Sequence, residues 1–344
     1  MKHITIKDVA KRLNCSVSTV SRAFNDKYDI RKETRDQILA TAKEMGYSPN
    51  PFAKLLLKQC SNQIGVVVPE FINSFFPEVI KGIQNVLQKA GYQLLIMQSN
   101  EEATVELENI KTLENNMVDG IIISLTFETN LETRNIDYLK SMVESGFPIV
   151  LFNRVSDVIP AHKVVFDDYK WAFFATEHLI YQGYKKIFHF SGPKTLSFSQ
   201  NRINGFIDAL KKHKISVSDQ LIFETGLLIK DGERVMQKLL DDKNMPEAVF
   251  AVNDPSAIGA MKILKKNGYK IPGDIAIVGF TESKLAELID PPLTSVAQPT
   301  FEIGQTAARL LLEQIGAKSI FVPQKVVLNG RLNVRESSMR LATH

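Results

Sequence analysis

Residues 5–25 read TIKDVAKRLNCSVSTVSRAFN, two short amphipathic stretches joined by a tight turn. Thr5 caps the first stretch with Asp8 reaching back to it, and Val9, Ala10 and Leu13 share one face at helical spacing. Asn14 and Cys15 supply the turn, because Asn tolerates the left-handed backbone such a turn needs. Ser16 caps the second stretch, and Val20 with Ala23 or Phe24 returns an apolar face to the first. Val17, Ser18, Thr19, Ser21 and Arg22 are left pointing outward, short side chains ended by an arginine that can lie close to base edges and phosphates. This is the layout of a helix-turn-helix DNA reader, although many short helix pairs are merely structural.

The residues that follow decide between the two. KETRDQILATAKEMG, residues 32–46, predicts a third helix with Ile38, Leu39, Ala42 and Met45 as its packing stripe and Gly46 as its stop. TIKDVAKRLNCSVSTVSRAFN, ETRDQI, MGYSPN and the run Ala53-Lys54-Leu55-Leu56 together resemble the DNA-binding headpiece and hinge of the lactose/galactose repressor family (LacI/GalR-type regulators). The resemblance implies that Val17, Ser18 and Arg22 touch base edges, and that Thr19, Ser21 and Asn25 lie near phosphates. It makes Leu56 an apolar wedge for the minor groove, in a hinge that also holds Asn50, Ala53 and Lys54. Thr5 and Ser16 belong to the same DNA-binding set. Arg31 stands where the family has a Ser cap on the third helix; the cap is lost, and an Arg can hold a phosphate instead.

The charge is distributed to match. Of a net +4, the first 60 residues hold twelve Lys/Arg against six Asp/Glu, which leaves −2 for the rest. A basic excess confined to one end suits a phosphate-seeking module tethered to a neutral body. At 344 residues and 44% hydrophobic composition, two or three globular units are expected. Cys15 and Cys60 have no metal-ligand spacing, no signal peptide opens the chain, and no apolar run approaches the roughly 20 residues of a membrane span. A cytoplasmic protein without a disulfide framework is expected.

Beyond Gln63 short apolar runs alternate with helix-length amphipathic stretches. Ile64 to Val68, Tyr92 to Met97, Gly120 to Ser124 and Ile149 to Phe152 read as buried strands. The pattern restarts with Lys163 to Phe166, Lys186 to Phe190, Ile222 to Glu224, Ala248 to Val252 and Ile275 to Val278. Two doubly wound α/β lobes in series imply a ligand cleft at the carboxyl ends of their strands.

PEFINSFFPEVIKGIQNVLQKAGYQL, NMVDGIII, FPIVLFNR, ATEHLIYQGYKKIFHFSGP, RINGFIDAL, AVNDPSAIGAMKIL, IPGDIAIVGFTES and PPLTSVAQPTFEIGQTAARLLLEQI follow in order. They resemble the effector-binding core of the same family, which is similar in fold to periplasmic sugar-binding proteins. The expected organisation is an all-α helix-turn-helix headpiece over residues 1–49, a hinge helix and linker over 50–61, and a two-lobed core over 62–337. The resemblance assigns 62–162 with 294–322 to the N-lobe and 163–293 with 323–337 to the C-lobe.

For the effector, the resemblance places Asn73, Phe75, Phe76, Ser124 and Asn153 on the N-lobe side of the cleft. Arg202, in the Arg-x-x-Gly pattern, matches an arginine that forks onto a hydroxyl, carboxylate or carbonyl. Asn253 and Asp254 match an Asn-Asp pair after a C-lobe strand. Phe75 and Phe76 also read as ordinary core, and Asp254 as a helix cap. Two positions depart from the family: Thr281 replaces an aspartate that accepts from sugar hydroxyls, and Leu228 lies near where an aromatic often stacks on the ligand. A retained arginine without that acid points to a sugar acid.

The mechanism expected is linkage. Residues 50–58 are too short for a stable isolated helix, so they fold only when two copies pair on DNA. That calls for a homodimer and a pseudo-palindromic operator. A carbohydrate-type effector then controls operator affinity through its preference for one lobe arrangement. The alternative is a ligand-dependent activator or co-repressed regulator answering to a non-sugar metabolite. No GxxxxGK[ST], GxSxG, HExxH or CxxC pattern is present, and His162, His178, His189 and His213 show no ligand pairing. Neither an enzyme nor a cofactor or metal is expected.

Overall fold

A computed structural model describes residues 4–24, 30–47, 60–72, 74–130, 133–317 and 322–340. The chain divides into two compact units, Met1–Ser61 and Asn62–His344.

The first unit contains helices α1 (Ile6–Arg12), α2 (Val17–Phe24) and α3 (Lys32–Glu44). The Asp8 carboxylate accepts from the Thr5 backbone N–H at 2.8 Å and its hydroxyl at 2.6 Å, and Ser16 Oγ accepts from the Thr19 N–H at 3.0 Å. Asn14 takes the left-handed backbone expected of it, with φ +49°. Val9, Ala10, Val20, Ala23, Ile38 and Ala42 form the small core. The Arg35 Nε–H, donating to the Ala23 carbonyl at 3.2 Å, ties the third helix to the second.

Among the described residues the second unit holds two six-stranded sheets. Its elements run β1 (Gln63–Val68), α4 (Phe75–Lys89), β2 (Gln93–Gln98), α5 (Ala103–Asn115), β3 (Gly120–Ile123), α6 (Thr133–Glu144), β4 (Ile149–Phe152), β5 (His162–Phe166), α7 (Asp168–Tyr181), β6 (Ile187–Ser191), α8 (Ser197–Lys212) and β7 (Ile222–Glu224). They continue as α9 (Ile229–Asp241), β8 (Ala248–Ala251), α10 (Asp254–Lys266), β9 (Ala276–Thr281), α11 (Leu285–Leu288), β10 (Thr294–Ala297), α12 (Thr300–Gly316), β11 (Lys325–Leu328) and β12 (Arg331–Asn333). The N-lobe sheet has the order β11-β5-β4-β3-β1-β2 and the C-lobe sheet β12-β10-β9-β8-β6-β7. All pairings are parallel except that of β12 with β10. Parallel strands buried on both faces explain the continuous runs IGVVV, GIII and IVLF.

The lobe boundaries expected at 162/163, 293/294 and 322/323 are corrected by strand pairing. β5 pairs β4 and belongs to the N-lobe, β10 pairs β9 and belongs to the C-lobe, and β11 pairs β5 and returns to the N-lobe. The chain therefore crosses after Phe166, after Ala297 and after Leu328. Each misassigned strand is a short mixed run, HKVVF, TSVA or KVVL, whose local pattern fits either sheet, so its partner is set by long-range register rather than by its own residues.

Helices α4 and α12 pack backbone to backbone on the N-lobe sheet. A Cβ on Gly82 would lie 2.1 Å from the Phe301 carbonyl oxygen, and one on Gly304 would lie 2.0 Å from that of Val79. Glycine is what permits this approach.

Candidate functional site

In the headpiece Val17, Ser18 and Arg22 are exposed on α2, while Thr19 and Ser21 are half-buried beside them. The apolar face of α2 is spent on Val20 and Ala23, which leaves the predicted reading face outward. Ser18 is not wholly uncommitted, since its hydroxyl lies 2.7 Å from that of Ser16. Arg31 occupies the N-cap of α3 and makes no side-chain capping bond, as its chemistry requires. Asn25, Asn50, Ala53, Lys54, Leu56 and Asn73 lie outside the described residues.

Between the lobes of the second unit lies a cleft of about 790 Å³, within the range that takes a small ligand. Phe75, Phe76, Asn153, Arg202, Leu228, Asn253 and Thr281 all line it. Phe75 and Phe76 are also part of the N-lobe core, so the two readings of them hold together: their bodies pack and one surface faces the cleft. Asn153 directly follows β4 with φ +57°, a conformation Asn tolerates.

Arg202 is 4% exposed on α8. Its Nε and Nη2 donate to Asp168 Oδ1 at 2.8 and 2.6 Å, and its Nη1 donates to the Val252 carbonyl. The guanidinium carbon sits 3.6 Å from the centroid of the Phe280 ring and 4.8 Å from that of Phe198. Of the five donors of a guanidinium, one each on Nη1 and Nη2 remains for a ligand. Burial pushes the Asp168 carboxyl up while its pairing with Arg202 opposes that rise. These contacts fix the guanidinium at the cleft wall without any ligand.

Asn253 caps α10, its Oδ1 accepting from the Ser256 N–H at 2.9 Å and its Nδ2 donating to the Leu227 carbonyl at 2.8 Å. Thr281 ends β9 with φ +105°, a strained conformation for a β-branched residue, costing on the order of 1–3 kcal/mol.

Two expected ligand contacts do not line the cleft. Ser124 and Asp254 are fully buried. Asp254 does not cap its helix either, because Asn253 already does so. Its carboxylate accepts from the Ser283 N–H and, at 2.6 Å, from the Ser295 hydroxyl. Burial, the dominant cause, pushes it up to about 7.

The cleft also recruits residues that the sequence reading missed. Arg154 follows Asn153, chelates Glu101 at 2.8 and 2.7 Å and lies over Phe76. Phe198 precedes Arg202 by one helical turn, a spacing that could have revealed it. Gln298, at a lobe crossover, is buried and lines the cleft with no partner for its Nε2 among the described residues. Lys81, Lys230 and Lys284 stand at the cleft together with Glu70 and Glu78, and Glu78 pairs with both Lys81 and Lys284. Single lysines and glutamines carry no periodicity, so only the fold collects them.

A helix-turn-helix unit joined to a two-lobed domain with a ligand-sized cleft defines a ligand-responsive DNA-binding protein. Residues 5–50 match the family of bacterial regulatory proteins of the lacI family, and residues 61–331 match the periplasmic binding proteins and sugar binding domain of the LacI family. The chain belongs to the LacI family of transcriptional regulators.

It is 34% identical over 344 residues to the HTH-type transcriptional regulator DegA of Bacillus subtilis (strain 168), covering 98% of this chain and 99% of that one. It is 32% identical over 340 residues to a ribose operon repressor of Halalkalibacterium halodurans, covering 97% and 98%. Among solved structures, a complex of the transcriptional regulator CelR with cellobiose superposes with a TM-score of 0.73 at 27% identity, covering 97% and 100%.

Proposed function

We propose that this regulator is a cytoplasmic, homodimeric repressor that grips a pseudo-palindromic operator and is not an enzyme. A carbohydrate effector bearing a carboxylate, seated in the inter-lobe cleft, controls that grip. The observation that carries the effector class is Arg202, which keeps two donors for a ligand while Asp168, Val252, Phe198 and Phe280 hold it still. A preformed fork matches a carboxylate bidentately, and Lys230 at the cleft adds a further cation beyond Lys81 and Lys284, which Glu78 already engages. The aromatic faces of Phe75, Phe76 and Phe198 suit the apolar face of a sugar ring. The regulatory relatives and the ribose and cellobiose in their descriptions support a sugar-type effector.

We further propose residues 1–49 as the headpiece, 50–61 as the hinge and 62–337 as the core. Two hinges pairing on the operator supply the coupling, because lobe rearrangement alters the distance between them and hence their chance of folding.

Calorimetry with D-galacturonate, D-gluconate, D-ribose and cellobiose tests the effector class. Binding of the acids is expected, and tight binding of a cationic or purely aromatic ligand refutes it. Gel-shift titration tests the hinge. Leu56→Gly weakens specific operator binding while leaving effector affinity intact, and unchanged operator affinity removes Leu56 from that role.

A further inference from the structure

The C-lobe contributes its rim to the cleft through Thr281, Ser283, Lys284 and Leu285. The rim starts with two successive residues at positive φ, Thr281 at +105° and Glu282 at +59°. Neither is a residue that takes this backbone by default. A local conformation of this kind persists only where its surroundings over-determine it.

Asp254, at the first turn of α10, is placed to do so. One carboxylate oxygen accepts from the Ser283 N–H, and the other accepts from Ser295 Oγ at 2.6 Å. Ser295 Oγ in turn accepts from the Glu282 N–H at 3.1 Å. One buried carboxylate thus ties down two consecutive rim amides, the second through a hydroxyl relay. Room for it exists because β9 has Gly279 at that point: a Cβ there would fall 2.3 Å from Asp254 Oδ1. On the outer side Arg335 grips the Glu282 carboxylate and donates to Glu287 at 2.9 Å.

Capping does not account for Asp254, since Asn253 satisfies the helix terminus, and it does not reach the ligand space. Keeping a carboxylate fully buried is costly, and the surrounding hydrogen bonds only partly offset the effect of burial, leaving the group at about 7. The charged groups coupled to it are Glu282 at the end of β9 and Arg202 on α8. Ser283 and Ser295, its direct partners, are neutral.

We propose that Asp254 is a positioning residue for effector recognition, holding the rim in the strained backbone that presents Thr281 and Ser283 to the cleft. This rests on the cleft being the effector site. With the rim held, Lys284 reaches the opposite lobe, where Glu78 lies 3.3 Å away. Released, Thr281 relaxes toward an ordinary extended φ and the rim loses its fixed relation to Arg202.

Hydrogen exchange of the full-length protein tests the structural half without an effector. In Asp254→Asn, exchange of peptides spanning 281–284 rises at least about tenfold relative to wild type, as expected for lost bonds to a charged acceptor. N-lobe peptides keep their rates. Should that variant fail to fold, Ser295→Ala removes the relay to Glu282 and is expected to speed the same peptide. If Asp254 stays buried when the rim opens, only the loss of its bonds to Ser283 and Ser295 distinguishes the open state, so wild-type rim exchange corrected for its intrinsic rate accelerates as pH falls toward about 7, opposite in sign to the effect of solvating the group on global unfolding. A purely structural carboxylate predicts no such rim-confined profile. Calorimetry with D-galacturonate supplies the functional half: affinity falls at least about tenfold in Asp254→Asn. Wild-type rim exchange or wild-type affinity in that variant overturns the proposal. If the wild type binds neither D-galacturonate nor D-ribose, the effector reading fails, and rim exchange alone decides whether Asp254 holds the rim.

Discussion

Lys284 Nζ stands 3.3 Å from Glu78 Oε1, joining the rim of the C-lobe to the first helix of the N-lobe across the mouth of the cleft. Glu78 is shared with Lys81 at 2.8 Å. Its carboxyl is held below the usual range, chiefly by the Lys81 hydrogen bond and less by Lys284, against an opposing effect of burial. The lysine side chain is 76% exposed and the glutamate 28%, so the pair contributes little to global stability. A pair spanning the two lobes can bear on the balance between lobe arrangements, where a small differential energy suffices.

Lys284→Ala is therefore expected to leave the melting temperature nearly unchanged and to weaken binding of an acidic sugar about two- to fivefold. The loss should shrink in roughly 0.5 M salt, where exposed charges are screened. Calorimetry at low and high salt checks this, and a salt-independent effect would count against an ion-pair latch.

Arg202→Met leaves Asp168 buried and uncompensated, a change expected to cost about 3–5 kcal/mol in urea denaturation. Adding Asp168→Asn should recover part of that stability, because the orphaned charge is gone. Effector binding should not recover, since the fork is still missing. A double variant that regains both stability and binding would exclude Arg202 from recognition.

His189 is fully buried on β6, between β8 and the edge strand β7 of the C-lobe sheet, its Nδ1 2.9 Å from the Phe250 carbonyl and its ring stacked on Phe250. Burial, the main cause, lowers its pKa to about 4, against about 6.5 in an unfolded chain. A depressed pKa contributes stability that is complete above about 6.5 and lost as pH falls toward 4, in total about 3 kcal/mol. Asp254, raised to about 7, acts in the opposite sense, its contribution being lost as pH rises through that value. The two flatten the overall profile, so the difference between wild type and His189→Phe is the useful quantity. Urea denaturation between about pH 4 and 7 should show wild type losing stability relative to the variant as pH falls; parallel curves would mean that His189 is not kept neutral by the fold.

Gly304→Ala introduces a Cβ at 2.0 Å from the Val79 carbonyl oxygen and 2.8 Å from the Ile83 nitrogen. Backbone cannot rotate aside, so α4 and α12 must separate. Overpacking of about 1–3 kcal/mol should outweigh the roughly 1 kcal/mol that alanine adds to helix propensity. A melting temperature at or above that of wild type would show that the two helices are not in backbone contact.

The cleft lining was legible wherever one residue type in a short pattern dictates its own geometry. Arg202 in Arg-x-x-Gly and Asn253 ahead of a helix both line the cleft. Ser124 and Asp254, picked out by the same kind of pattern, are buried away from it. No local signal separates a carboxylate that meets a ligand from one that meets the Ser283 amide and the Ser295 hydroxyl, 29 and 41 residues further along the chain. Arg154, Gln298 and Lys284 reach the cleft from separate elements, so only the assembled lobes bring them to one place.

Alone, the amino-acid order determined the headpiece, the alternation of strands and helices, and the family. Asn14, Ser16, Val20 and the apolar runs act through neighbours three or four positions away, or through period-two and period-3.6 burial. Tertiary structure decided which sheet received β5, β10 and β11, that Asp254 serves the rim rather than the ligand space, and that Glu78 meets Lys284. Those outcomes depend on pairing between distant segments, whose register is set by the whole packed core and by no stretch of residues within it.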